Sequence, residues 1–293
     1  MPKENKIILG LPSGLLRDQT MKLFFGAGYE VKIDEAFYRA KIDDPEIEIF
    51  LARDQELTFY TEKEVVDAAI AQKAYLLDQK VKVVPIASFD YGVNVWSNAK
   101  IVFAVPENSK IHSLKDLKGK KILSRVPEIT KEYLKRHKVE AEVGWTDRPA
   151  EPKVPLLGDA IVEFTNTGST LKAFNLKIID ILIETSPTLF VNKKSFRDKW
   201  KREKIENLAI LLKGARLAQE YAGLMLHASN EMMGAVLKAL PALKKPTVTQ
   251  LRGENWFDVL TVADKKGIRN IIPKLKKIGC TDIVEFPLNK VVL

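Results

Sequence analysis

The chain has 293 residues, 46% hydrophobic and 29% charged, with 15 Gly and 14 Pro, an ordinary globular composition with apolar material for two or three domains. A single cysteine, Cys280, excludes an internal disulfide framework and a cysteine metal cluster, and no run approaches the ~18 apolar residues of a membrane helix, so no membrane partner is expected. The net charge of +9 favours anionic partners such as phosphorylated metabolites; without zinc-finger spacing, aromatic repeats or a basic arm, no nucleic acid is expected among them.

The first residues are charged and run straight into Ile7-Ile8-Leu9, without the apolar segment of a signal peptide, so a cytoplasmic protein is expected. Lys6 to Gly10 reads as a strand, Leu11-Pro12-Ser13-Gly14 as a tight loop, and Leu15 to Phe25 as an amphipathic helix stopping at Gly26 or Gly28. Val31 to Ile33 and Glu48 to Arg53 read as strands, Thr61 to Val66 as the opening of a short helix, and Val81 to Ile86 as another strand. Such alternation predicts an open α/β sheet, whose ligands sit at the carboxyl ends of strands.

A second unit begins near Lys100. Ile101 to Val105 is a continuous apolar strand closed by Pro106, Ser113 caps a short helix to Leu117, Lys121 to Leu123 is a strand, Thr130 to His137 a helix and Val139 to Gly144 a strand. This unit resembles the lobes of periplasmic-type binding proteins. His112 and His137 lie in charged surroundings and read as surface residues.

The stretch Asp159 to Leu171 carries the chemistry. Ala160-Ile161-Val162 has the character of a buried strand, and Glu163 and the small-residue loop Thr165-Asn166-Thr167-Gly168-Ser169-Thr170 follow it directly. Backbone N–H groups and the hydroxyls of Thr167, Ser169 and Thr170 suit a phosphate, Gly168 permits close approach, and Glu163 is placed to accept hydrogen bonds from sugar hydroxyls. The same spacing also fits a plain strand-to-helix turn with Ser/Thr capping.

Ile178 to Glu184 and Thr188 to Asn192 read as strands returning to the first lobe through a turn at Ser186-Pro187, which would leave a cleft between two lobes. Trp200 to Tyr221 is a long helix with Ile205, Leu208, Ala209, Leu212 and Ala215 on one face. From Ala222 the order is strand to His227, helix Glu231 to Leu240, strands Pro246 to Leu251 and Trp256 to Val262, helix Lys266 to Ile278 and strand Asp282 to Phe286. That βαββαβ order is ferredoxin-like.

Taken together, Leu9 to Leu15, Ile42 to Ile47, Phe103 to Pro106, Asp159 to Leu171, Lys204 to Asn207, Ala239 to Thr247 and Ile283 to Lys290 give the whole chain a close resemblance to the long form of the ATP phosphoribosyltransferase family, the first enzyme of histidine biosynthesis. The resemblance implies transfer of the phosphoribosyl group of phosphoribosyl pyrophosphate to N1 of ATP, with Mg²⁺ present and pyrophosphate released. It implies two periplasmic-binding-protein-like α/β lobes with a central cleft and a ferredoxin-like regulatory domain. Residues 1–99 and 178–220 would form the nucleotide-side lobe, 100–177 the phosphoribosyl pyrophosphate lobe, and 221–293 the regulatory domain. Glu163, Thr165, Asn166, Thr167, Gly168, Ser169 and Thr170 would bind phosphoribosyl pyrophosphate; Gly14, Arg53 and Lys73 would serve the nucleotide. No residue is assigned a catalytic role and none a metal. Histidine is the implied feedback inhibitor, and homodimers assembling to a homohexamer the implied state.

Two departures bear on the ATP half. Ser13 stands where the family usually has a lysine or arginine, and Val66 to Ala74 occupies the place of an Asp-x-Gly-Ile-Thr-Gly-x-Asp segment, with Ala and Gln at the glycine positions. A divergent paralogue that binds phosphoribosyl compounds or histidine is therefore one alternative, and a two-lobed solute-binding protein is another.

Overall fold

A computed structural model describes residues 5–14, 16–34, 39–89, 99–240, 245–253 and 255–293. Leu15, at the expected start of the first helix, and residues 241–244, inside one of the family-like stretches, lie outside the described residues. The described chain divides into two compact units. One comprises the residues up to Thr20 with Val31–Glu206, the other Met21–Glu30 with Asn207–Leu293. The second thus takes in 21–30 and 207–220, which the sequence reading grouped with the first lobe.

In chain order the elements are β1 (Ile7–Pro12), α1 (Arg17–Ala27), β2 (Val31–Asp34), β3 (Arg39–Ile42), β4 (Ile47–Ala52), α2 (Asp54–Glu62), β5 (Ala68–Gln72), α3 (Lys73–Asp78), β6 (Val84–Ser88), β7 (Ala99–Pro106), β8 (Lys121–Ser124), α4 (Pro127–Arg136), β9 (Glu142–Trp145), β10 (Ala160–Thr165), α5 (Ser169–Ala173), β11 (Leu176–Thr185), β12 (Pro187–Val191), α6 (Lys193–Arg197) and α7 (Lys199–Ala218). Seven strands form one sheet in the order β2-β3-β4-β1-β5-β12-β6, with β1 parallel to β4 and β5. Five form another in the order β11-β7-β10-β8-β9, with β8 parallel to β9 and β10. Each sheet has its own core, such as Ile101, Phe103, Leu117, Ile122 and Val162 in the second and Leu57, Val66, Ala69 and Phe190 in the first.

Several elements differ from expectation. The helix expected to open at Thr61 starts at Asp54, because Arg53 is its N-cap, with Glu56 accepting from the Arg53 backbone N–H at 2.9 Å and two acids in the first turn. Thr61 lies in its last turn, its hydroxyl donating to the Leu57 carbonyl at 2.7 Å. Ile178–Glu184 belongs to β11, which pairs antiparallel with β7 from Leu176↔Pro106 to Thr185↔Ala99. It stays in the five-stranded sheet, so the return to the seven-stranded sheet falls at Ser186. Alternating apolar residues give a strand its faces but do not choose its partner.

The two sheets also meet away from the cleft. The Asp78 carboxylate, at the end of α3, accepts from the N–H groups of Glu128 and Ile129 at 2.7 and 3.0 Å, so an anion from one lobe caps α4 of the other.

The second unit continues with β13 (Tyr221–Ser229), α8 (Met233–Ala239), β14 (Thr247–Gln250), β15 (Trp256–Asp264), α9 (Lys265–Ile278) and β16 (Thr281–Pro287). The sheet order β14-β15-β13-β16 is the ferredoxin-like arrangement that the sequence pattern predicts. Leu224, Leu226, Val236, Val259, Ile268 and Leu275 form its core, with Cys280 buried among them and its thiol pushed up by that burial. The α7 positions Ile205, Leu208, Ala209, Leu212 and Ala215 are all buried. In this unit the final segment is tied down by Val291 N–H to the Gly214 carbonyl at 2.9 Å and by Lys290 Nζ to the Ala27 carbonyl at 2.8 Å.

Candidate functional site

Parallel pairing decides where the site lies, because strands that run the same way end at the same edge. β8 leads into Arg125, β9 into Asp147 and Arg148, and β10, which carries Glu163, into the Thr165–Thr170 loop. On the other sheet β1 leads into Ser13 and Gly14, β4 into Arg53 and Asp54, and β5 ends at Gln72. Between these two edges lies a cleft of about 950 Å³ lined by residues of both sets, including Gly14, Arg53, Thr165, Asn166, Thr167, Ser169 and Thr170.

Glu163 lies just beneath the lining, 1% exposed. Its Oε1 accepts from the Phe164 N–H at 2.7 Å and from Arg125 Nη1 at 3.2 Å, with Arg148 Nη2 at 3.6 Å. Its Oε2 is buried and has no hydrogen-bond partner among the described residues, and the same holds for Tyr75 Oη and Arg125 Nε. Buried polar atoms are rarely left in that state, so this cluster is short of acceptors and donors that a ligand would bring. The Arg125 guanidinium also lies over two rings, 5.0 Å from the Phe164 centroid and 5.7 Å from that of Tyr75. Burial pushes the Tyr75 phenol well above its ordinary range, against the lowering by Arg125.

The loop is shaped by its own hydroxyls. Thr165 Oγ1 accepts from the Gly168 N–H at 2.9 Å, while Thr167 Oγ1 donates to Ser169 Oγ at 3.0 Å and accepts the Ser169 N–H at 3.3 Å. Gly168 caps α5 with φ +78°, a left-handed conformation that a side chain resists. Gly168 itself is beneath the lining, and Ser169 and Thr170 follow on the first turn of α5.

On the opposite wall, Arg53 Nη1 donates to Asp147 Oδ2 at 2.6 Å, a link from one lobe to the other. Asp147 is fixed in turn: its Oδ1 accepts the Arg148 N–H at 2.8 Å, and its carbonyl accepts from Lys153 Nζ at 2.5 Å. Asp54, beside Arg53, is half-buried, and desolvation pushes its carboxyl up to about 6 against the opposing pull of Arg125, its own N–H and Arg148.

Lys73, expected at the nucleotide, is exposed and does not line the cleft. Gln72 does, and at the β5 end adjacent residues alternate between faces. Asp54, Tyr75, Arg125, Asp147 and Arg148 escaped the sequence reading. The signal that would have found Arg125 is its place one residue after a strand that runs parallel to the loop-bearing one.

The profile of the family described as ATP phosphoribosyltransferase matches residues 53–214, and that of the HisG C-terminal domain matches residues 218–290. An ATP phosphoribosyltransferase from Desulforudis audaxviator is 39% identical over 98% of this chain and 99% of its own length. One from Solibacter usitatus is 41% identical over 97% and 99%. The chain belongs to the ATP phosphoribosyltransferase family. Its function is the first step of histidine biosynthesis, transfer of the phosphoribosyl group of phosphoribosyl pyrophosphate to N1 of ATP. Among solved structures, a chain of an ATP phosphoribosyl transferase (HisG:HisZ) complex from Thermotoga maritima superposes with a TM-score of 0.57 at 22% identity, covering 71% of this chain and 98% of that one, which bears on the fold.

For an ATP phosphoribosyltransferase the departure at Val66–Ala74 has a structural setting. Ala68 to Gln72 is an interior strand, buried throughout, so Ala69, at the first glycine position, fills sheet core, while Gln72, at the second, reaches the cleft. The family needs a divalent metal. Among the described residues no group of three or more His, Cys, Asp or Glu forms a cage for one, and no helix is long and apolar enough to cross a membrane.

Proposed function

We propose that the cleft is the transfer site, with the Thr165–Thr170 loop holding the 5-phosphate of phosphoribosyl pyrophosphate and Glu163 its ribose. Gly14 and Arg53 serve the nucleotide from the opposite wall. The observation that carries this reading is the buried, unpartnered Oε2 of Glu163 directly before a Ser/Thr/Gly loop on the cleft: a ribose hydroxyl is the donor it lacks. Arg125 and Arg148 sit beside that carboxylate and supply positive charge to the departing pyrophosphate, the part Ser13 does not play.

Catalysis is then mostly positioning. Holding the sugar from one wall and the base from the other brings adenine N1 in line with C1; the N1–C1 bond forms as the C1–O bond to pyrophosphate breaks, and the electron pair leaves with pyrophosphate. With no protein cage among the described residues, Mg²⁺ would be brought by the polyphosphate substrate and would supply neutralisation of leaving-group charge. The ferredoxin-like domain is read as the histidine sensor, the assembly as homodimers building a homohexamer, and the cytoplasm as the location. The seven-stranded and five-stranded sheets are read as the two lobes of the cleft, and the four-stranded sheet as the regulatory domain.

The test is a near-ultraviolet assay for phosphoribosyl-ATP with purified protein, ATP, phosphoribosyl pyrophosphate, Mg²⁺ and pyrophosphatase. Product formation is expected. Binding of phosphoribosyl pyrophosphate without product would favour the regulatory paralogue.

A further inference from the structure

Asp54 is a charged residue of the cleft that holds neither the phosphoribosyl group nor the Arg53–Asp147 link. It is the first residue of α2, the position after the Arg53 cap, and it lines the cleft on the wall opposite the phosphoribosyl loop, with Gln55 and Gln72. A carboxylate at a helix N-terminus with two arginines in reach would ordinarily be an easy ion to keep. Here burial outweighs all of them and lifts the carboxyl to about 6. The charged and titratable groups around it are Arg125 before α4, Arg148 after β9, Tyr75 on α3 and its neighbour Arg53, whose guanidinium is engaged by Asp147. Among the described residues, no hydrogen bond beyond that of its own N–H fixes the Asp54 side chain.

We propose that Asp54 is the proton acceptor of the transfer, taking the proton that the exocyclic amine of adenine loses when N1 is alkylated; this rests on the reading that its wall holds the nucleotide. The balance is complete without a further reactant. N1 gives its lone pair to C1, and the C1–O pair leaves with pyrophosphate. The cationic base then gives up a proton from N6, the N–H electrons form the C6=N6 bond, and the proton goes to a carboxylate oxygen of Asp54. Before that moment the same oxygen, accepting from the N6 amine, pushes electron density toward N1 and makes it the better nucleophile. The alternatives within the cleft are poorer bases: Glu163 is on the sugar side, held by two arginines and an N–H, and the Tyr75 phenol is pushed upward by burial. An acid near 6 is ionised at neutral pH yet still basic enough to take a proton.

The experiment compares the full-length wild type with Asp54→Asn and Asp54→Glu, measuring kcat, both KM values and phosphoribosyl pyrophosphate affinity by calorimetry across the range where product forms. For the wild type we expect an acid limb below pH about 6, and for Asp54→Asn a fall in kcat of about 10²–10⁴-fold with phosphoribosyl pyrophosphate affinity retained and that limb lost, with partial recovery in Asp54→Glu. N6,N6-dimethyl-ATP, which has no proton to lose from N6, should bring the wild type down to the rate of the variant. Retained affinity in Asp54→Asn also reports that the site is folded. The inference is overturned if Asp54→Asn keeps kcat and the acid limb, or if its loss follows weakened phosphoribosyl pyrophosphate binding. A changed Mg²⁺ requirement with the limb intact would overturn it too, by making Asp54 a metal contact. A wild type that forms no product would overturn the transferase reading itself, whereas an active wild type matched by Asp54→Asn overturns only this inference.

Discussion

Arg125 answers three neighbours at once: the Glu163 carboxylate, the Phe164 ring and the Tyr75 ring. With Glu163 1% exposed, removing the arginine leaves an ion with little solvent to replace it. Breaking such a pair from one side costs about 3–5 kcal/mol, whereas neutralising both sides costs far less. Arg125→Met should therefore lower stability by about 3 kcal/mol, and Arg125→Met with Glu163→Gln should recover most of it in urea unfolding, while phosphoribosyl pyrophosphate binding stays lost in every variant without the carboxylate. A double variant no more stable than Arg125→Met would mean the pair is not the source of the cost. Gly168 makes a separate prediction. A Cβ there meets nothing nearer than Ile178 Cδ1 at 3.7 Å, so the space is open and only the φ of +78° resists a side chain. Gly168→Val should cost about 1–3 kcal/mol through backbone strain, leave the fold in place and abolish phosphoribosyl pyrophosphate binding in calorimetry. Unchanged affinity would remove the loop from the site.

At the scale of elements, β5 is the instructive case. Its sequence Ala68-Ala-Ile-Ala-Gln has little β-branched content, which is why it reads poorly as a strand, yet pairing with β1 on one side and β12 on the other buries all five residues. By contrast β7 and β10, with their Ile/Val/Phe runs, are legible at once, and so is the ferredoxin-like order of the second unit. The loop after β10 is legible because small hydroxyl residues and one glycine follow a strand. Arg125, Arg148 and Asp54 are not, since each comes from a different strand end and only parallel pairing gathers them. The same strand explains Gly10, which pairs with Ala69: a Cβ on Gly10 would come within 2.9 Å of the Ala69 Cβ and 2.6 Å of Leu57 Cδ2. Gly10→Ala should cost about 1–3 kcal/mol by overpacking. Combined with Ala69→Gly, which frees one of the two contacts, it should melt above the sum of the single losses. Simple additivity would show that Leu57 alone carries the clash.

For the whole molecule the question is whether the second unit reports histidine to the first. Its sheet buries one face under α8 and α9, while Leu260 and Val284 remain 39% and 43% exposed. If histidine binds the folded chain, mass action requires it to stabilise the fold, by about 2.7 kcal/mol at a hundred times its Kd, so a melting temperature that climbs with histidine concentration is expected. Stabilisation alone does not make a feedback device. Coupling is reciprocal, so if histidine lowers the affinity for phosphoribosyl pyrophosphate by some factor, phosphoribosyl pyrophosphate must lower the affinity for histidine by the same factor. Calorimetric titration of histidine with and without saturating phosphoribosyl pyrophosphate reads that factor directly. A rise in melting temperature with identical histidine affinities in the two titrations would make the second unit a binding domain uncoupled from substrate affinity, with any inhibition then acting on the chemical step. No rise at millimolar histidine would mean that the domain has kept its ferredoxin-like core and lost the ligand.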